Sequence, residues 1–246
     1  MSIKSANIGK INTEILPSYT GFLKQKDREF LERVYGQDFD VYTKALKQQG
    51  VQGKRVLDAG CGFGQWSVAL SQYNEEIYSV DCSKDRIDFL NFSIEKFGLN
   101  NITTHVSFLE EFGNYENFFD HIFCYGSLYL CDNWKRSLQN LINSTKKGGI
   151  ISVMLTGIGY YQNLWDHQKN RSQDFDPRTY AFQALINSVA DNKIYSGLPT
   201  VINFSDLEQF VITLGCKAEK SNDKDMFYER FYNEFDCVYW VKITKC

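Results

Sequence analysis

One stretch constrains this chain more than any other: Val56-Leu57-Asp58-Ala59-Gly60-Cys61-Gly62-Phe63-Gly64-Gln65-Trp66. An apolar run ends in alternating glycines and opens into a helix-forming segment. Glycine is needed where the backbone takes positive φ or where a ligand approaches the main chain closely. The start of the next helix presents unpaired N–H groups at the same place. An acid follows at a telling interval. Asp81 closes the next apolar run, 21 residues after Gly60. That spacing suits a carboxylate accepting hydrogen bonds from ribose hydroxyls, and Ser83 is available to cap the following helix in its place. The glycine pattern also discriminates between ligands. A dinucleotide fingerprint places its third glycine where Gln65 stands. Asp58, two residues before the first glycine, is unsuited to a pyrophosphate and well suited to a ligand carrying sulfonium and ammonium charges.

Around this turn the sequence alternates between strand and helix. Strands are predicted at 55–59, 76–81, 102–108, 120–126 and 150–155, with helices at about 65–73, 84–97 and 134–144. Ile87, Leu90, Ile94 and Phe97 form the stripe of the second helix, Ser83 its N-cap and Gly98 its end. Gly148 and Gly149 turn into the fifth strand. Such βαβ alternation with apolar strands implies a parallel sheet covered by helices on both faces. Residues 1–50 are expected to form a helical segment ahead of a domain spanning 51–246. Residues 156–200, rich in Tyr, Trp, Asn and Gln and poor in periodicity, are expected to be an insertion. Regularity returns with a helix at 205–214, where Ser205 and Glu208 form a capping box and Gly215 follows the end. The last strands are predicted near 216–220 and 236–244.

Length and charge exclude several classes. At 246 residues the chain holds one α/β domain comfortably. A net charge of −3 without a dense Lys/Arg block argues against a nucleic-acid partner. Apolar runs too short for a bilayer argue against a membrane. The seven cysteines are scattered with no CxxC pair, which points to free thiols, no metal and a reducing, cytoplasmic home. Oligomeric state is not legible.

VLDAGCGFGQW resembles the first motif of the class I SAM-dependent methyltransferases, and SVDCS resembles their second. FDHIFCYGSLYL, a helix, and KKGGIISVML are similar to their fourth and fifth strands. The resemblance covers about residues 50–155 well and 205–244 loosely. It implies a single Rossmann-like α/β domain with a mostly parallel seven-stranded sheet, an antiparallel last strand and an insertion after strand five. It also implies S-adenosylmethionine (SAM) as cofactor, with S-adenosylhomocysteine (SAH) as product. Carried over by position, Asp58 lies near the methionine ammonium. Gly60, Cys61, Gly62 and Gln65 form the turn against the methionine and ribose portions. Asp81 holds the ribose hydroxyls, Cys82 sits beside the adenine, and the Tyr125 carbonyl faces the ammonium. Leu109 and Glu110 border the adenine. Phe108 stands where many members have an aspartate, so the reader of the adenine amine is left open between the Leu109 backbone and Ser107.

The residues after strand four, Gly126-Ser127-Leu128-Tyr129, are unlike the Asn/Asp-Pro-Pro-aromatic signature of DNA amino-methyltransferases. Paired glutamates of the protein-arginine type and the terminal acid of the Mg²⁺-dependent catechol type are also missing. The expected reaction is methyl transfer to O or N of a small molecule. His167 is the candidate base, and Tyr19, Tyr160, Trp165 and Arg171 are candidate contacts to the acceptor. Tyr19 and Phe22 could close over the cofactor or simply pack on the domain; His121 and His105 are expected to be structural. A non-catalytic SAM-binding regulator and an NAD-dependent oxidoreductase are the competing readings.

Overall fold

The computed structural model describes residues 18–25, 27–28, 31, 39–156, 200, 202–221 and 238–246. The elements run α1 (Phe39–Gln48), β1 (Arg55–Ala59), α2 (Gln65–Ser71), β2 (Glu76–Asp81), α3 (Lys84–Phe97), β3 (Ile102–Val106), β4 (Phe119–Tyr125), α4 (Trp134–Ser144), β5 (Thr145–Thr156), α5 (Phe204–Thr213), β6 (Cys216–Ser221) and β7 (Val238–Lys245). They form one seven-stranded sheet in the order β3-β2-β1-β4-β5-β7-β6. The pairs β3·β2, β2·β1, β1·β4 and β4·β5 are parallel, whereas β7 runs antiparallel to both β5 and β6. The predicted sheet, with its single antiparallel last strand, is the one observed.

Period-two alternation sends successive strand residues to opposite faces. Val56, Ile77 and Phe123 join Trp66, Val68, Leu70, Phe89 and Leu90 of α2 and α3 on one side. Leu57, Val80, Ile122 and Val153 join Leu138, Leu141, Leu207 and Val211 of α4 and α5 on the other. The connections leave β1 toward β2 and β3, then resume on its other side at β4 and β5. This reversal opens a crevice at the carboxyl ends of β1 and β4, where open α/β sheets bind ligands.

Several boundaries differ from expectation. Ser83 is the N-cap of α3, but its side chain makes no cap hydrogen bond. The Asp81 carboxylate accepts the Ser83 N–H instead, at 2.9 Å. The Ser205–Glu208 capping box does not form, because α5 begins one residue earlier with Asn203 as N-cap. The Tyr239 hydroxyl, donating to the Ile202 carbonyl, fixes that entry. Strand β5 begins at Thr145 rather than 150, and the glycine pair lies inside it. The ladder shifts there, from Phe119↔Thr145 to His121↔Ile150, so Gly148 and Gly149 make an irregularity in the strand. Gly98 ends α3 as expected, left-handed at φ 62.

The carboxyl end of α4 is tied down from a distant part of the chain. Lys245 Nζ donates to the carbonyls of Ile142, Asn143 and Thr145 at 2.9, 3.3 and 2.8 Å, and to Asn117 Oδ1 at 2.9 Å. A cation at the negative end of a helix dipole, with charge-assisted bonds to its last carbonyls, stabilises by about 1–2 kcal/mol. Lys245→Met is expected to lower the melting temperature by about 2–8 °C, read by circular dichroism. An unchanged melting point would show that solvent satisfies those carbonyls equally well.

Candidate functional site

The glycine turn is built as its sequence demands. Gly60, Gly62 and Gly64 all take positive φ, at 77°, 56° and 85°. At Gly60 a methyl group would meet the Ser127 side chain at 2.3 Å, whereas at Gly62 nothing lies within 4 Å. The first glycine therefore lets the β4 turn approach, and the second leaves room for a ligand. The Gly62 N–H donates to Asp81 Oδ2 at 2.9 Å, which ties the turn to the end of β2. Ser127 closes the other side by donating from Oγ to the Ala59 carbonyl at 2.7 Å.

Beside this turn lies a cleft of about 250 Å³, lined by Gly60, Asp81, Cys82, the 107–111 loop, Ser127, Cys131 and Asp132. It brings together five of the candidates: Gly60, Asp81, Cys82, Leu109 and Glu110. Asp81 is only 4% exposed. Besides its two backbone bonds it has the Arg86 guanidinium at 3.9 Å. The Cys82 thiol makes a weak 4.0 Å contact to Oδ1, and Oδ2, which accepts only the Gly62 N–H, keeps a second lone pair.

Asp58, Cys61, Gly62, Gln65 and Tyr125 surround the turn without lining the cleft. Asp58 is 1% exposed. The Ser67 hydroxyl donates to its Oδ2 at 2.6 Å, and the Ser79 hydroxyl donates to Ser67 Oγ at 2.8 Å. Burial pushes the Asp58 carboxyl up to about 7; the Ser67 bond opposes that rise and the negative charge of Asp81 adds to it. Gln65 Oε1 is buried without a hydrogen-bond partner among the described residues. The Tyr125 ring packs between Trp66 and Trp240, at 4.7 and 5.7 Å.

Other candidates stand elsewhere. Tyr19 packs its ring against Phe89 and Phe92 of α3, at 5.1 and 5.0 Å, and does not line the cleft. Phe22 is exposed. Tyr160, Trp165, His167 and Arg171 lie outside the described residues. His121 is buried, within 2.9 Å of Ser152 Oγ, and burial with the nearby Lys242 charge lowers it to about 4. His105 lies 3.0 Å from the Tyr115 hydroxyl, and burial lowers it too. Neither lines the cleft. Among the described residues no group of three or more His, Cys, Asp or Glu side chains is arranged to hold a metal ion. Sequence reasoning missed Ser127, Glu111, Cys131 and Asp132 as cleft residues. The Gly-Ser pair directly after β4 was the available signal for Ser127; the others had none.

A family model described as a methyltransferase domain matches residues 51–204. The chain belongs to that family. Its sheet order and glycine turn are those of the Rossmann-like class I methyltransferase fold, whose cofactor is SAM. The S-adenosylmethionine-dependent methyltransferase from Clostridium acetobutylicum superposes with a TM-score of 0.60 at 14% identity, over 85% of this chain and 92% of that one. Magnesium protoporphyrin IX methyltransferase from Synechocystis, solved with bound SAH, superposes with a TM-score of 0.58 at 14% identity, over 97% and 94%. At such identity the likeness is one of fold. Among curated proteins, a ubiquinone biosynthesis O-methyltransferase of Coxiella burnetii is 33% identical over 110 residues, 44% of this chain and 47% of that protein. An uncharacterized protein of Haemophilus influenzae is 33% identical over 81 residues, 32% of this chain and 30% of that protein. The match spans less than half the length of either curated relative.

The methyltransferase domain's own residues fit SAM. The open space at Gly62 leaves the backbone of the turn accessible among the described residues. The orphan Gln65 carbonyl oxygen calls for a donor, and the cofactor's ammonium is one. The buried Asp81 carboxylate has acceptor oxygens of the kind sugar hydroxyls need, and among the described residues no basic side chain lines the cleft to repel a cation.

Proposed function

We propose that the protein transfers a methyl group from SAM to an oxygen or nitrogen atom of a small molecule. The observation that carries this reading is the cleft at the carboxyl ends of β1 and β4, bounded by the Gly60 turn and the buried Asp81 carboxylate. Asp81 would hold the ribose hydroxyls. Asp58 and Gln65 would meet the ammonium directly or through water. Leu109 and Cys82 would flank the base. Bound SAM supplies an electrophilic methyl group on sulfur, so much of the protein's task is orientation. The chain excludes water with the apolar walls of the cleft and holds the acceptor in line with that methyl. An alcohol acceptor would also use a base, for which His167 is the candidate; an amine acceptor needs only to be held neutral. Residues 156–200, with Tyr160, Trp165 and Arg171, are proposed to shape the acceptor site, and residues 1–50 to cover it.

Calorimetry with SAM and SAH, followed by a screen of O- and N-nucleophiles with labelled methyl, tests this reading. Binding of both nucleosides together with label transfer to at least one small acceptor is expected. Binding with no acceptor among them would favour a SAM-sensing module instead. NADH binding without SAM binding would overturn both.

A further inference from the structure

We propose that Arg86 is a positioning residue of the cofactor site: it holds the Asp81 carboxylate and the glycine turn to one another and supplies the positive charge that lets two buried carboxyls serve one ligand. This rests on SAM as the cofactor. The residue breaks a local rule. Ser83 is the N-cap of α3, so Arg86 is the third helical residue. A glutamate or glutamine there would reach back to the Ser83 N–H and complete a capping box, whereas a cation there meets the positive end of the helix dipole. In this chain Asp81 accepts the Ser83 N–H at 2.9 Å, so the capping acceptor comes from outside the helix. A departure from helix chemistry that has a compensating partner marks a position with another task.

That partner is Asp81 itself. The Arg86 guanidinium lies 3.9 Å from Asp81 Oδ2, the oxygen that accepts the Gly62 N–H. It also lies 5.6 Å from the centre of the Phe63 ring, within the glycine turn. Phe63 is buried, and its ring meets Phe89 of α3 edge-on at 5.7 Å. One side chain thus spans the carboxylate and the turn it braces, from outside the cleft lining. Its charge matters because Asp81 is buried and its negative charge bears on Asp58, which is buried too. Two buried carboxyls beside one turn repel unless a cation offsets one of them. The other titratable groups are poorly placed to do so. The Cys61 and Cys124 thiols are held protonated by burial, and at Cys61 the charge of Arg86 opposes that effect. Cys82 offers Asp81 only a thiol, Asp85 is a further acid, and Lys84 is exposed and paired with Asp88 at 2.7 Å.

The test is calorimetric titration of SAH into the full chain between about pH 6 and 9, with thermal melts alongside, for the wild type, Arg86→Gln, Arg86→Lys and the first-turn control Lys84→Gln. Arg86→Gln is expected to weaken SAH binding about five- to twentyfold, the coupling found within one charge network. It should also raise the pH at which affinity reaches half its maximum by about half a unit or more, because the Asp81 charge then acts on Asp58 unopposed. Its melting temperature should stay within about 3 °C of the wild type, since glutamine suits the first helical turn and offsets the lost pairing. Arg86→Lys should recover most of the affinity and the wild-type midpoint, and Lys84→Gln should leave both unchanged. Wild-type affinity or a wild-type midpoint in Arg86→Gln overturns the assignment and leaves the cofactor reading standing. So does a joint fall in melting temperature and affinity that lysine fails to rescue. A wild type that binds no SAH overturns both.

Discussion

Replacing Asp81 by alanine is expected to weaken SAH binding at least about a hundredfold while the protein stays folded, as two lost bonds to a charged acceptor at about 1.5 kcal/mol each would require. The side chain has two tasks at once. It braces the fold, since Oδ2 accepts the Gly62 N–H and Oδ1 the Ser83 N–H, both at 2.9 Å. Its remaining acceptor capacity, a lone pair on Oδ2 and the Oδ1 lone pair that only the weak 4.0 Å Cys82 thiol contact occupies, matches the two adjacent hydroxyls of a ribose. Alanine removes both tasks, so loss of affinity alone would not separate them. Asp81→Asn does. Its carbonyl can still accept one N–H, but its amide turns a donor toward a second N–H and a hydroxyl. Asparagine should therefore recover part of the melting temperature and little of the affinity. Calorimetry and thermal melts on both variants decide it. Wild-type affinity in Asp81→Ala would show that the sugar lies elsewhere.

How far the sequence revealed this site depends on the range of the interactions involved. The strands from β1 to β4 were legible because each is a short apolar run between turn residues, and the glycine turn because its pattern is local. The end of α3 was legible in Gly98, which takes the left-handed conformation a helix end requires. Long-range contacts were not legible. Tyr239 fixes the entry to α5 from 37 residues away, so a capping box that looks sufficient locally gives way to Asn203. The shift at Gly148 and Gly149 depends on how β4 pairs with β5, which no local pattern encodes. The same holds at the cleft. Glu110 was legible only as a residue of the loop after β3, and its restraint comes from Asn133 and Asn140, 23 and 30 residues on. Tyr19 could equally have been a lid or a packing residue, and the choice belongs to Phe89 and Phe92 of α3.

Asp58→Asn is expected to make the ligand-free protein more stable above neutral pH and to make it a poorer binder of SAM. The wild-type carboxyl is raised from 3.8 to about 7, chiefly by burial. The folded state therefore holds this proton through a pH range in which the unfolded chain releases it. The stability linked to it is complete below pH 3.8 and is lost as pH rises through about 7. At pH 8 the loss is about 4 kcal/mol for a shift of about three units. The ionisable groups around it give no relief: Asp81 is negative, and the Cys61 and Cys124 thiols are held protonated by burial, the latter pushed up to about 11. Asparagine does not titrate, so the melting temperature of the variant should overtake the wild type as pH climbs from 5 to 8.5 by roughly 4–15 °C. Binding should move the other way. A cationic ammonium favours the ionised carboxylate, so wild-type affinity for SAM should rise through pH 7, with proton release on binding below it. In the variant that dependence should vanish and affinity should fall about 10–100-fold, the value of a charge-assisted bond. Melts and calorimetry across that pH range test both halves. A wild-type affinity independent of pH would mean that Asp58 never meets the ammonium. An unstabilised asparagine variant at pH 8.5 would mean that its carboxylate is ionised at no cost in the free protein, with Ser67 and Ser79 compensating fully for its burial.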